Sequence, residues 1–166
     1  MNTRLLLPIA CLLFCTLPSA ASGKKGESGI SFHLETEEGG NPKMVFSQLT
    51  NGEQRWFQQT PEVSTRDIVA FSPFPSDEEG TYGVVLQLDK RGANRLAAFT
   101  AANPQRWLVA IVNGRVVDAV IIDKQISDGI LVIWKGVTLP EVKAFDKVKP
   151  RLGEDEKTWK KRLRDS

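Results

Sequence analysis

The chain has 166 residues, with 22 lysines and arginines against 20 aspartates and glutamates, for a formal net charge of +2. That balance lacks the clustered basic excess by which nucleic-acid-binding domains show themselves, and it gives no ground for strong attraction to an anionic membrane. Both cysteines, Cys11 and Cys15, fall in an apolar run near the N-terminus, and His33 is the one histidine.

Arg4 carries the positive charge of a short leader, residues 5–17 are almost wholly apolar, and Pro18, Ser19, Ala20 and Ala21 form a small-residue cleavage region. This pattern predicts a secretory signal peptide over residues 1–21, cut before Ser22. The apolar run is shorter than the roughly 20 residues that span a bilayer, and no later stretch approaches that length. A lipid anchor needs small residues before its cysteine. Pro8, Ile9 and Ala10 before Cys11 match only in part, and Phe14 before Cys15 is too bulky. The expectation is therefore an exported, periplasmic or secreted protein that is not a lipoprotein. Its mature form keeps no cysteine, which excludes disulfides, thiolate metal sites and a cysteine nucleophile.

Residues 22–29 are rich in Gly, Ser and Lys and read as a flexible leader. From Ile30 the apolar residues Ile30, Phe32 and Leu34 alternate with Ser31, His33 and Glu35, which is the period of a strand. A turn cluster over 38–42 precedes a second strand over 44–49. Asn51-Gly52 then marks a tight hairpin, and 55–58 is the return strand. The first third reads as an N-terminal β-meander.

Residues 61–67 form a connection in which Ser64 or Thr65 caps a single helical turn holding Asp67. A short apolar run over 68–71 leads to a loop containing Pro73, Pro75 and the acidic Asp77-Glu78-Glu79-Gly80. Residues 82–88 alternate as a strand. Residues 89–103 form the clearest helix, with Leu96 and Phe99 on its apolar stripe and Asn103-Pro104 as its stop. A strand over 107–112, a second tight turn at Asn113-Gly114, a return strand over 116–122 and a third strand over 129–134 follow. Thr138 caps a second helix reaching about residue 148, with Pro140 in its first turn and Glu141 three residues after the cap.

The second half thus runs strand, helix, three strands, helix. This predicts an α+β fold: a mostly antiparallel sheet with two helices on one face, in a single domain over 30–153. Leu96, Phe99, Ile111, Ile133 and Phe145 are its expected core. Residues 154–166 are a short helix or tail, with Trp159 and Leu163 as the only apolar edge. Both faces of the 130–134 strand are apolar, with Ile130, Val132 and Trp134 on one side and Leu131 and Ile133 on the other. The sheet therefore needs cover on its second face, from the meander or from a partner.

Four stretches carry a family likeness. They are 88–93, a strand end entering a helix with a Gly-Ala start; the Phe99-Thr100 pair; 108–117, an apolar hairpin around Asn113-Gly114; and 126–138, from Ile126 through a glycine turn to the Thr138 cap. In order and spacing they resemble the head subdomain of the first periplasmic domain of SecD, a subunit of the bacterial protein-export machinery. The likeness covers about 64–148. Val120 stands where that family usually has a proline, and Asp128 replaces one glycine of its paired-glycine turn. The resemblance implies the fold and a habit of binding extended polypeptide. It does not imply an ion-coupled translocase, since nothing here reads as a membrane span.

No residue set points to catalysis. His33 sits at a polar-facing strand position with no acidic or hydroxyl partner in its own motif, and is expected to be exposed. Asp77, Glu78 and Glu79 lack the spacing of a calcium loop and read as a solvated tip. Asp118 and Asp123 straddle the return strand, where Asp118 reads as an exposed strand residue. Gly92, Gly114, Gly129 and Gly136 form no phosphate-binding fingerprint and read as turn residues. The expectation is a non-catalytic binding module without metal or cofactor. Its partner is an extended polypeptide or envelope protein, with self-association or a structural role as the alternative. Trp107, Trp134 and Val132, near the sheet rims, are the candidate contact residues.

Overall fold

The computed structural model describes residues 29–38, 41 and 43–165. The expected signal peptide, its cleavage position and most of the leader lie outside them. Within the described residues β1 (Ile30–Thr36), β2 (Val45–Thr50), β3 (Glu53–Gln58), the two-residue β4 (Val63–Ser64) and a 3₁₀ turn (Thr65–Asp67) precede the long strands β5 (Ile68–Pro75) and β6 (Thr81–Leu88). Helix α1 (Lys90–Ala102), strands β7 (Trp107–Val112), β8 (Arg115–Ile121) and β9 (Ile130–Thr138), and helices α2 (Leu139–Asp146) and α3 (Glu156–Asp165) complete the order. The α+β class, the antiparallel pairing and the strand, helix, three strands, helix sequence are as expected.

Strand order is where the structure departs from a simple meander. One sheet runs β2-β3-β1-β7-β8, with β4 also on β1, and the other runs β5-β6-β9. β1 pairs β7 from Ile30–Val112 to Leu34–Leu108 and meets β3 only at its far end, through Glu35–Phe57 and Thr36–Trp56. Both hairpins turn on Asn-Gly with positive φ at both positions, 51° and 80° in each case, as a two-residue turn matched to strand twist requires.

The expected loop over Pro73–Pro75 is strand instead. Phe71 donates its N–H to the Pro150 carbonyl and accepts from Leu152 N–H, so its main-chain groups face away from β6. Two and four residues on, Pro73 and Pro75 occupy the same outward phase of an unbroken ladder. A proline there loses no ladder bond, which makes it compatible with an edge strand.

One core joins the inner faces of both sheets to α1 and α2. It includes Phe32, Val63, Ile68, Phe71, Leu86 and Leu108, with Leu96 and Phe99 from α1 and Val142 and Phe145 from α2. Of the expected core, Ile111 is only half-buried, because it points to the opposite face of β7 from Ala110 and Val112. Asp89 caps α1 by accepting from Gly92 N–H, and the Thr138–Glu141 capping box starts α2. Helix α2 ends at Asp146, short of the expected 148. Helix α3 is docked: Trp159 Nε1–H donates to the Asp146 carbonyl, and Arg162 pairs with Glu154 and Asp146.

Candidate functional site

The larger sheet curls into a half-barrel whose two ends are β2 and β8. Its concave side holds a second apolar group: Phe57 and Val109 are fully buried, Phe46 stacks on Phe57 at 5.8 Å, and His33 meets Phe46 edge-on at 5.4 Å. Strand β9, for whose second face the meander was an expected cover, lies in the other sheet and keeps Trp134 exposed on that face. The β2–β3 hairpin instead covers part of this concave side of the larger sheet. At the hairpin tip the cover stops. There Leu49, Thr50 and Asn51 face Val116–Ala119 of β8 across an open groove of about 360 Å³, with Trp107 and Lys135 also in its lining.

Trp107 is held in place by polar contacts. Its N–H donates to Glu35 Oε2 at 2.9 Å, and the other carboxylate oxygen of Glu35 accepts from Arg55 Nη1 at 2.8 Å. The Arg55 guanidinium then lies 5.2 Å from the Trp107 ring centroid, a cation–π distance. Arg55 also pairs with Glu53. An acid on β1 thus joins an arginine on β3 to the start of β7. The groove wall is tied by these contacts at Trp107 and sparsely covered at Leu49, which is 68% exposed.

Trp134 and Val132 lie elsewhere. They share the outer face of the three-stranded sheet, where the Trp134 ring meets Phe74 edge-on at 6.2 Å and is 59% exposed, and Val132 pairs with Val85, half-buried. The groove lining includes Trp107 but neither of them. What links the two surfaces is Asp118. Its Oδ2 accepts from Trp134 N–H at 2.7 Å and its Oδ1 from Ala119 N–H at 2.9 Å, so it joins β8 to β9 where the two strands share no ladder. Half-buried and bonded to main chain, it is not the exposed strand residue expected. Asp123, past the end of β8, is exposed.

His33 also departs from expectation. It is buried, with Nδ1–H donating to the Gln58 carbonyl and Nε2 accepting from Ser31 Oγ, both at 2.8 Å. Burial pushes its pKa below the usual imidazole value, with the Gln58 contact opposing in part. The strand period correctly put His33 on the face opposite Phe32, but that face is covered by Phe46. Asp77, Glu78 and Glu79 are exposed at the β5–β6 turn, and among the described residues no group of three or more His, Cys, Asp or Glu is placed to hold a metal ion. Gly136 is more than a turn residue: its φ is +82°, and a Cβ there would sit 2.6 Å from the Val117 carbonyl oxygen, so β8 and β9 approach this closely only because position 136 is bare.

A family model described as SecDF, P1 head subdomain, matches residues 43–145. The match begins upstream of the 64–148 stretch read from sequence and takes in the β2–β3 hairpin that forms one groove wall. A solved structure of SecDF, described as a membrane component that enhances protein export, superposes with a TM-score of 0.50 at 17% identity, over 71% of this chain and 60% of that one. A second, of SecDF in a super-membrane-facing form, gives 0.48 at 18% identity, over 71% of this chain and 18% of that one. The matched region spans less than two thirds of either SecDF chain, and the first likeness speaks for fold alone. No curated protein matches the chain. Among the described residues no helix is long and apolar enough to cross a membrane.

Proposed function

The chain belongs to the SecDF P1 head subdomain family, and from that premise we propose that it is a non-catalytic binding module for extended polypeptide in protein export. In this reading it acts in the periplasm, after removal of residues 1–21, without membrane spans or ion coupling of its own. The observation that carries the reading is the groove between the open ends of the half-barrel, walled by Leu49 on one side and Val116–Ala119 on the other with Trp107 between them. It is an open groove with mixed walls, Leu49, Trp107, Val116 and Val117 beside Asn51, Asp118 and Lys135, suited to a chain passing through rather than to a small molecule held on all sides. Trp134 and Val132, beyond the Asp118 junction, offer a neighbouring apolar surface over which such a chain continues. With a net charge near zero, binding is modest in affinity and only weakly salt-dependent.

The test is a titration of the full mature chain with a permanently unfolded probe, reduced and carboxymethylated α-lactalbumin, followed by anisotropy of a dye on the probe. Saturable binding at micromolar concentration, weakened by Trp107→Ala with the fold intact, is the expected result. No binding at high micromolar concentration by a chain that sedimentation shows to be monomeric contradicts the reading.

A further inference from the structure

The sheets end on β2 and β8 and on β5 and β9; β8 and β9 are tied to each other through Asp118, and the other two edges are treated differently. On β5 the outward phase carries Phe71, Pro73 and Pro75. Phe71 is bonded to the 150–152 segment, and the prolines have no N–H to offer. That edge is closed to strand addition. On β2 the phase follows from the turn. A two-residue hairpin makes Thr50–Glu53 a bonded pair, so Thr50, Gln48 and Phe46 face β3, and the Met44 carbonyl accepts from Gln59 N–H in the same phase. Ser47 and Leu49 therefore direct their N–H groups away from the sheet. Both residues are exposed, the ladder to β3 has no bulge, and residues 44–50 contain neither proline nor charge. On β2 itself no proline, charge or bulge blunts the edge, and the Leu49 carbonyl accepts from the adjacent Gln48 Nε2 at 3.2 Å.

We propose that the β2 edge takes up an extended polypeptide as an added strand, bonded through the main chain of Ser47 and the N–H of Leu49 and entering the groove at the hairpin tip. The inference rests on the polypeptide-binding reading and gives it a mode. Main-chain bonds make the interaction tolerant of sequence, as a module meeting many chains needs, while the exposed Leu49 and the Trp107 wall favour uncharged apolar residues at alternate positions. The occupant is a single extended chain rather than a second copy. The groove, at about 360 Å³, has room for a few residues of one strand between the hairpin tip and β8.

Ser47→Pro tests this with the protein's own precedent, since proline in the outward phase is already tolerated at Pro73 and Pro75. It removes one outward donor and leaves the β3 ladder intact. Two probes are compared on the full mature chain: carboxymethylated α-lactalbumin, and an uncharged ten-residue Val/Thr peptide with or without N-methyl groups at alternate positions. The expected result is about tenfold weaker binding for Ser47→Pro, the size of one lost main-chain bond, and a comparable loss for the N-methylated peptide. Thermal unfolding and sedimentation establish that the variant is folded and that the chain is monomeric. Should Ser47→Pro fail to fold, the N-methylated peptide against wild type decides alone. Wild-type binding unchanged by either modification overturns strand addition while leaving the polypeptide-binding reading in place. A β2-dependent dimer in sedimentation overturns the single-chain occupant. Absence of binding by wild type to both probes defeats the reading and the mode together.

Discussion

The Asp118 carboxylate accepts the main-chain N–H of Trp134 at 2.7 Å, and through that bond a side chain does the work of a strand partner. Strands β8 and β9 end different sheets, and a register shift in the β7–β8 pairing leaves Val117 without an opposite residue. Arg115 adds a second tie, donating to the Gly136 carbonyl at 2.9 Å and pairing with Glu141 on α2. These few polar contacts tie the end of the larger sheet to β9 and α2 beside the groove.

Breaking this junction should cost stability without disturbing the core. Asp118→Ala is expected to destabilise by about 1.5–3 kcal/mol, the range for a lost bond to a charged acceptor. Gly136→Ala should cost more than about 1 kcal/mol, because it combines a positive φ with a Cβ driven against Val117. Urea unfolding of the two variants checks both values. A change below about 0.3 kcal/mol in either would mean the strands are held by something else.

Phe99 is 8% exposed and packs from α1 into the shared core. Phe99→Ala should cost about 3–5 kcal/mol, as large-to-small changes in packed cores do. A loss under about 0.5 kcal/mol would show that α1 is not seated as described.

The buried His33 sets a pH dependence with a definite sign. Its folded pKa lies below the unfolded value near 6.5, with burial as the leading cause. Between the two values the unfolded chain binds more protons, so this contribution is whole above pH 6.5 and is lost as pH falls toward the folded value. His33→Gln should flatten the stability profile in that window. At lower pH a second loss follows. Asp67 and Glu141 are raised by burial but lowered further by their hydrogen bonds and by Arg95 and Arg115 respectively, and Glu154, bonded to Arg162 and to Arg151 N–H, is held at about 2. Their contributions persist above the unfolded values of 3.8–4.5 and disappear as pH falls through the folded ones. Equilibrium unfolding from pH 3 to 8, wild type against His33→Gln, separates the two windows.

Helix α3 contributes through few contacts. Trp159→Ala removes the bond to the Asp146 carbonyl and the main apolar anchor of the helix. The expected outcome is faster amide exchange over 156–165, with a global loss of no more than about 2 kcal/mol. Unchanged exchange would place the anchoring with Arg162 and its acidic partners instead.

Much of this was readable from local chemistry. Asn51-Gly52, Asn113-Gly114, the Asn103-Pro104 stop and the Thr138–Glu141 capping box each state their geometry within a few residues, and each is found. What escaped depends on distant residues. Pro73 and Pro75 read as loop because proline is judged against an average strand, whereas only the 150–152 segment reveals β5 as an edge. The burial of His33 needs Phe46 folded over it, and the insertion of β1 between β3 and β7 is a long-range pairing with no local signature. Trp107 was found as a rim aromatic. Leu49, Lys135 and the Val116–Ala119 edge that complete its groove were not, since nothing in the chain says that a curled sheet brings its ends together.

Hydrogen exchange on the full mature chain, with and without saturating carboxymethylated α-lactalbumin, tests the central claim most directly. An extended chain in the groove should slow exchange at Ser47 and Leu49 and across residues 116–119, while α3 and the β5 edge stay as they were. Protection confined to α3 or to β5, or none at all under saturating probe, would contradict it.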